Sequence, residues 1–243
     1  MKHIVLLILL CLMYGCKESE TKPVLKINKI VQQCDIKDLP KQKETKIIDT
    51  RPSENTIIKE VVMLWNMWYD DQGIKPHHKL NKRREKFKEY GTYLATAVRY
   101  FQINKTDMGG ILPIDNTSHI IAAVVAAAET AVRPEMIGKL RNEVGIFQVH
   151  GAALNGHKRR EVINNPQLGI FLGIRWLTYH TQFCNQKATG MDFWKQPLTL
   201  YAAGLRAGRY KNKKCKEISV AKRRVRLAKM YRERIDALNS SKL

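Results

Sequence analysis

Acidic side chains are scarce in this chain. Its 22 Asp and Glu stand against 43 Lys and Arg in 243 residues, a formal net charge of +21. Such a deficit draws a protein to polyanions: nucleic acid, anionic lipid or lipopolysaccharide, or an acidic cell wall. Charge by itself does not choose among them. Long apolar runs are lacking too. The N-terminal run Ile4–Met13 holds ten residues, against the about 20 that a bilayer-spanning helix needs. None of the five cysteines forms a C-x-x-C pair, so the pattern of a zinc or redox site is missing. His150 and His157 carry no metal-ligand spacing, and no metal or organic cofactor is implied. No hairpin dipeptide separates alternating runs, and no segment repeats. What remains is an all-α class, with at most a small hairpin around residues 138–146.

The N-terminus, MKHIVLLILLCLMYGCKESE, has a short basic start at Lys2 and His3, the apolar run, and Gly15 before Cys16. That is the layout of a signal peptide. A small residue directly before a Cys resembles the bacterial lipoprotein cleavage box, although Met13 stands where Leu is usual. The resemblance makes residues 1–15 the signal peptide and Cys16 the lipidated first residue of the mature chain. Lys17, in place of Asp, resembles lipoproteins sent to the outer membrane and facing the periplasm. The alternative is a plain secretory signal with an incidental Cys. Cys34, Cys184 and Cys215 then remain. In an oxidising periplasm Cys184 and Cys215 are expected to pair, or all three stay free thiols.

Residues 16–54 are polar, Lys-rich and aperiodic, the composition of a flexible tether. From Asn55 the pattern changes. TIIKEVVMLWNMWYDD predicts a helix stopped near Gln72-Gly73, and HKLNKRREKFKEYGTYLATAVRYFQ predicts a second, amphipathic one. These make a helical extension, residues 55–112. In the remainder, 113–243, Asp115 to Ser118 offer N-caps for a helix from His119 to about Thr130, apolar nearly all round and so buried. Asn165-Pro166 opens another helix through about Gln186. Phe193–Ala203 and a basic stretch, Ser219–Leu238, supply the last two.

The buried helix ends on one carboxylate, Glu129, and a second, Glu143, precedes the turn Gly145-Ile146-Phe147-Gln148. A carboxyl at the C-terminal end of a buried helix is poorly solvated and faces the negative end of the helix dipole. Both effects favour its protonated form. A carboxylic acid that keeps its proton near neutral pH can protonate a glycosidic oxygen. Gly145 lets backbone pass close to a ligand, and Gln148 can donate to and accept from a sugar.

These segments, AAAET, GIFQVH, NNPQLGIFLGIRWL and LTLYAAG, resemble the lysozyme-like lytic transglycosylase superfamily over about residues 115–210. The shared pattern is a Glu ending a buried helix, a G-x-x-Q turn, an Asn-Pro element with Gly169 and Gly173 after it, and a Tyr segment at Tyr201-Ala202-Ala203-Gly204. The resemblance implies a lysozyme-like helical domain and cleavage of the β-1,4 bond between N-acetylmuramic acid and N-acetylglucosamine in peptidoglycan. It implies Glu129 as the catalytic acid, with Thr130, Gly145, Phe147, Gln148 and Tyr201 toward the substrate. Thr130 stands where the family usually has Ser. Ala202 replaces an Asn whose amide is expected on the substrate or on Glu129. Glu143 stands where soluble-type members carry Ala and where secretion-associated members and animal-type lysozymes carry Asp.

Two courses therefore stay open. One Glu serves as acid and then base, giving a 1,6-anhydro end, or Glu129 and Glu143 together hydrolyse the bond as in a muramidase. A third reading is a peptidoglycan-binding lipoprotein without activity, which Ala202 favours. Each residue also has a plainer role. Glu129 can be a surface acid at a helix end, Glu143 a loop acid paired with Arg141, and Gln148 a structural hydrogen-bonder. Tyr201, Trp176 and Trp194 can be core aromatics. From Arg206 to Asp236 there are 13 Lys and Arg against 3 Asp and Glu. That stretch reads as a solvated helix face or a contact for anionic wall or lipopolysaccharide. Nucleic acid is the least favoured partner, because the leader places the chain outside the cytoplasm.

Overall fold

The computed structural model describes residues 51–73, 78–138, 142–183, 188–203 and 217–241. All belong to the larger of the chain's two units, Ile48–Leu243. Cys16, Cys34, Cys184, Cys215, Arg141 and Gly204 lie outside the described residues, as do the signal peptide and nearly all of the tether.

The class is all-α. The helices are α1 (Glu54–Asp71), α2 (His78–Arg84), α3 (Phe87–Ile103), α4 (Ser118–Thr130), α5 (Arg159–Asn164), α6 (Pro166–Tyr179), α7 (Gly190–Phe193), α8 (Lys195–Ala203) and α9 (Ser219–Ser240). Short 3-10 turns occupy Gly151–Leu154 and His180–Gln182. Among the described residues β pairing is confined to two isolated antiparallel bridges, Ile137–Val144 and Val144–Val149. They fall where the small hairpin was expected and extend three residues beyond it.

Helix α1 starts at Ser53, whose hydroxyl accepts from the Thr56 amide at 3.1 Å, with acidic Glu54 favourably placed in the first turn. Its buried side is Ile57, Val61, Leu64, Trp65 and Tyr69, the spacing of one helical face. Helix α4 is different. Its Ile, Val and Ala side chains are buried through nearly the whole length, and its alanines let α1, α3 and α9 pack closely round it. Helix α6 lies against α3 and α8. One core runs through residues of 55–112 and of 113–241 together. The extension thus packs within the same unit as the rest. Trp65 of α1 donates its indole N–H to the Ala123 carbonyl of α4 at 3.0 Å.

A buried charged node reinforces that packing. Glu60 of α1 meets both Nε2 of His119 at the head of α4 and Nη1 of Arg232 on α9, each at 2.7 Å. Burial pushes the Glu60 acid up, but the His119 hydrogen bond and the charges of His119 and Arg232 outweigh it. The carboxyl is held below the usual range.

Three expected helices are interrupted. The segment 78–102 breaks at Glu85-Lys86. Between buried Leu80 and Phe87 no apolar side chain ties the backbone to the core, while Arg83 and Arg84 reach back to Tyr69 and Asp70 of α1. The helix from Pro166 ends at Tyr179 and tightens into the 3-10 turn, where the Gln182 amide donates to the carbonyls of Met108 (2.9 Å) and Tyr179 (3.1 Å). The segment 193–203 splits around Trp194, which is fully buried and donates to Thr117 Oγ1 at 2.9 Å. That fixes Trp194 as a core residue.

Candidate functional site

Helix α4 delivers Glu129 to the edge of the core and then stops abruptly. The next two residues, Ala131 and Val132, take left-handed backbone at φ 53° and 56°. For buried, β-branched Val132 this conformation costs on the order of 1–3 kcal/mol. Two groups hold the turn. Tyr69 of α1 donates its hydroxyl to the Ala131 carbonyl at 2.5 Å. The Thr130 hydroxyl reaches the Ile146 carbonyl at 3.1 Å and accepts from the Arg133 amide at 3.1 Å. Thr130 was expected to face substrate. It is 2% exposed and instead fastens the end of α4 to the Gly145–Gln148 turn.

That turn is closed by reciprocal backbone bonds between Val144 and Val149 at 3.1 and 3.0 Å. Gly145 is buried at φ 75°, and its carbonyl accepts from the Gln148 side-chain amide at 2.9 Å. The same amide also reaches the Met136 carbonyl at 3.3 Å. The donors of Gln148 are therefore spent on the loop, and its carbonyl oxygen is what remains for a ligand. Phe147 was also expected at the substrate, but it is 1% exposed. Its ring lies over Gly173, where a Cβ would fall 2.2 Å from the ring's Cγ. The glycine of the Asn-Pro element exists to admit that ring. Gly145 and Phe147 thus shape the loop from within.

Glu143 stands on the rim of this loop, 36% exposed along its side chain, with His150 Nδ1 4.0 Å from its Oε1. Gly138 makes room for it: a Cβ there would lie 2.4 Å from Glu143 Oε2 and 2.7 Å from Gln148 Oε1. Tyr201 comes from α8. Its hydroxyl donates to the Phe147 carbonyl at 2.5 Å, so it pins the loop instead of bonding a carboxylate. Burial pushes the Tyr201 phenol far up. The charge of Glu129 adds to this, Arg224 partly offsets it, and Glu143 contributes last. The four groups lie in one neighbourhood: the Arg224 guanidinium bonds Glu129 and lies 6.0 Å from the Tyr201 ring centre, and Tyr201 bonds the loop that bears Glu143.

Arg224 is the residue that the sequence reading missed. It is 8% exposed, its Nη2 donates to Glu129 Oε1, and its guanidinium carbon lies 6.0 Å from the Tyr201 ring centre. Glu129 is accordingly not enclosed by apolar groups, as its helix had suggested. It is partly buried, 22% exposed along the side chain, and paired to a guanidinium. The signal was in the sequence: Arg224 falls on the helical stripe of Ala221, Val225, Ala228, Tyr231 and Ile235, all buried. A lone arginine on an apolar stripe needs an internal partner.

The rest of α9 bears on the polyanion reading. Lys222, Lys229, Arg232 and Arg234 are committed to Glu217, Asp192, Glu60 and Asp71 respectively. A large part of the helix's positive charge is thus neutralised within the fold. His157 pairs with Glu161 at 3.3 Å. Trp176 stacks on Tyr179, with centres 5.1 Å apart. Among the described residues no group of three His, Cys, Asp or Glu is placed to hold a metal ion, and no helix is long and apolar enough to cross a membrane. A separate open cleft of about 650 Å³, lined by Leu112, Asp115, Gln182 and Phe193 among others, sits toward the opposite end of α4 from Glu129. No protein-family model, no curated protein and no solved structure matches the chain.

Proposed function

We propose that this protein is a peptidoglycan lytic transglycosylase of lysozyme-like fold, held at the bacterial envelope by a lipid on Cys16. The observation that carries the reading is Glu129. It ends the buried helix on a fixed turn, with its carboxyl partly exposed and its neighbour Thr130 fastened to the loop that bears Glu143 and Gln148. In this reading Glu129 gives its proton to the glycosidic oxygen as the bond to C1 breaks. It then takes the proton of the muramyl 6-hydroxyl as that oxygen bonds to C1. Acid and base are one group, so the proton balance closes without water. The loop's internal fastenings hold the segment bearing Glu143 and Gln148 still while this happens.

A second reading, hydrolysis with Glu143 as partner carboxylate, is favoured by Glu143 standing partly exposed on the rim of the same loop. A third, a wall-binding lipoprotein without turnover, is favoured by Ala202, which puts no amide beside Glu129. The test is mass analysis of muropeptides released from purified sacculi by the full-length protein and by Glu129→Gln. Products with 1,6-anhydro ends, lost in the variant, are expected. Reducing ends would move the assignment to a muramidase, and no release from either protein would leave the wall-binding reading.

A further inference from the structure

Burying a guanidinium is costly unless a partner repays the lost hydration. Helix α9 buries Arg224 within its apolar stripe, and among the described residues Glu129 alone is its ionic partner. The pairing is one-sided. Nη2 is on Oε1, while Nη1 is buried with no hydrogen-bond partner among the described residues, so the two-pronged pairing that arginine makes with a carboxylate is not formed. Glu129 Oε2 has no hydrogen-bond partner among the described residues. The Tyr201 ring lies beside the guanidinium, and Arg224 is buried on the same stripe as Ala221 and Ala228.

We propose that Arg224 is a positioning residue for the transfer carried by Glu129. It holds Oε1 and so leaves Oε2 as the oxygen that gives and takes the proton. The C-terminal helix is then part of the reacting site and not only a basic surface. This rests on the glycosidic-cleavage reading above. It also accounts for Ala202, because the group fixing Glu129 comes from α9 and not from the Tyr201 segment.

The experiment measures turnover of sacculi across substrate concentration by the full-length protein and three variants. Arg224→Met keeps the apolar stem and removes the charge, Arg224→Lys restores a cation, and Arg226→Ala removes an exposed cation of the same helix. The expected result is a kcat lowered about 10- to 100-fold in Arg224→Met with KM within about twofold. Arg224→Lys is expected to recover part of the loss, and Arg226→Ala to keep the wild-type kcat. Thermal unfolding of each variant separates loss of fold from loss of positioning; if Arg224→Met unfolds, the Lys variant against wild type carries the test. Unchanged kcat in Arg224→Met, or a loss confined to KM, would overturn the role of Arg224 while leaving the activity standing. No turnover by the wild type would instead remove the activity itself, and this inference with it.

Discussion

The hydroxyl of Tyr69, on the first helix, donates to the carbonyl of Ala131, the first left-handed residue after the helix that carries Glu129. That one bond gives the N-terminal extension a task at the site. Tyr69 itself accepts from Arg83 Nη1 at 3.1 Å, so α1 and α2 together buttress a backbone turn that is unfavourable by itself. Tyr69→Phe should lower stability by about 1 kcal/mol, the ordinary worth of such a hydrogen bond. It should cost more in activity than in stability, because the turn sets where Glu129 ends. Urea unfolding and sacculus turnover on the same preparation check both. Equal activity with reduced stability would make the contact structural alone.

Gly173 and Phe147 give a sharper steric case. A methyl at residue 173 would overlap the Phe147 ring outright, and the backbone that carries the ring is held by Tyr201 at the Phe147 carbonyl. Gly173→Ala is expected to destabilise by about 1–3 kcal/mol or more. Pairing it with Phe147→Leu should return part of that loss, since the smaller side chain vacates the contact. A double-mutant cycle by thermal unfolding would show the coupling, and additive losses would contradict it.

How much of this could be read in advance varies by residue. The helix 118–130 and its terminal Glu129 were legible because burial all round and a single terminal acid are local patterns. Gly173 was legible as a motif glycine, but its cause, the Phe147 ring, required the two segments to meet. Thr130 and Phe147 were placed toward substrate because the motif marks them. Sequence does not distinguish a side chain that touches a ligand from one that holds the loop touching it. Arg224 was hidden by its company: within 13 basic residues one inward-facing arginine looks like the rest until the apolar stripe is drawn through it. The helix breaks at Glu85 and Trp194 were not legible, because tertiary partners across the fold decide them.

His180 makes a pH prediction with a definite sign. It is fully buried among Trp176, Tyr179 and Phe183, neither ring nitrogen has a hydrogen-bond partner among the described residues, and burial pushes its pKa from 6.5 down to about 4. Between those values the unfolded chain binds a proton that the folded chain refuses. Stability is therefore complete above pH 6.5, falls as the pH drops below it, and levels off near pH 4. The loss is on the order of 3 kcal/mol at one pKa unit per 1.4 kcal/mol. Urea unfolding at pH 7.5 and pH 4.5 should show this fall in the wild type. It should be reduced in His180→Phe, which has no group to protonate there. The same fall in both proteins would contradict the assignment.

The Glu60 node predicts a second loss in a lower pH window. The partnered Glu60 acid lies below its usual value of 4.5, so its contribution is present above that pH and disappears as the pH falls through the depressed folded value. The three partners come from α1, α4 and α9, so the loss should loosen the whole helical packing and not one end of it. Removing a single member at neutral pH is expected to cost about 1–3 kcal/mol, because Glu60 and His119 are buried and each loses a partner, while Arg232 keeps its pairing with Asp236. Arg232→Met leaves Glu60 with His119 alone, and Glu60→Gln leaves His119 facing an amide. Replacing Glu60 and Arg232 together by apolar residues should cost less than the two single losses added. Unfolding free energies for the two singles and the double at pH 7 decide the matter. If the singles simply add, the ion pair is not what joins the helices, and the apolar contacts around Trp65 and Ala123 must do so.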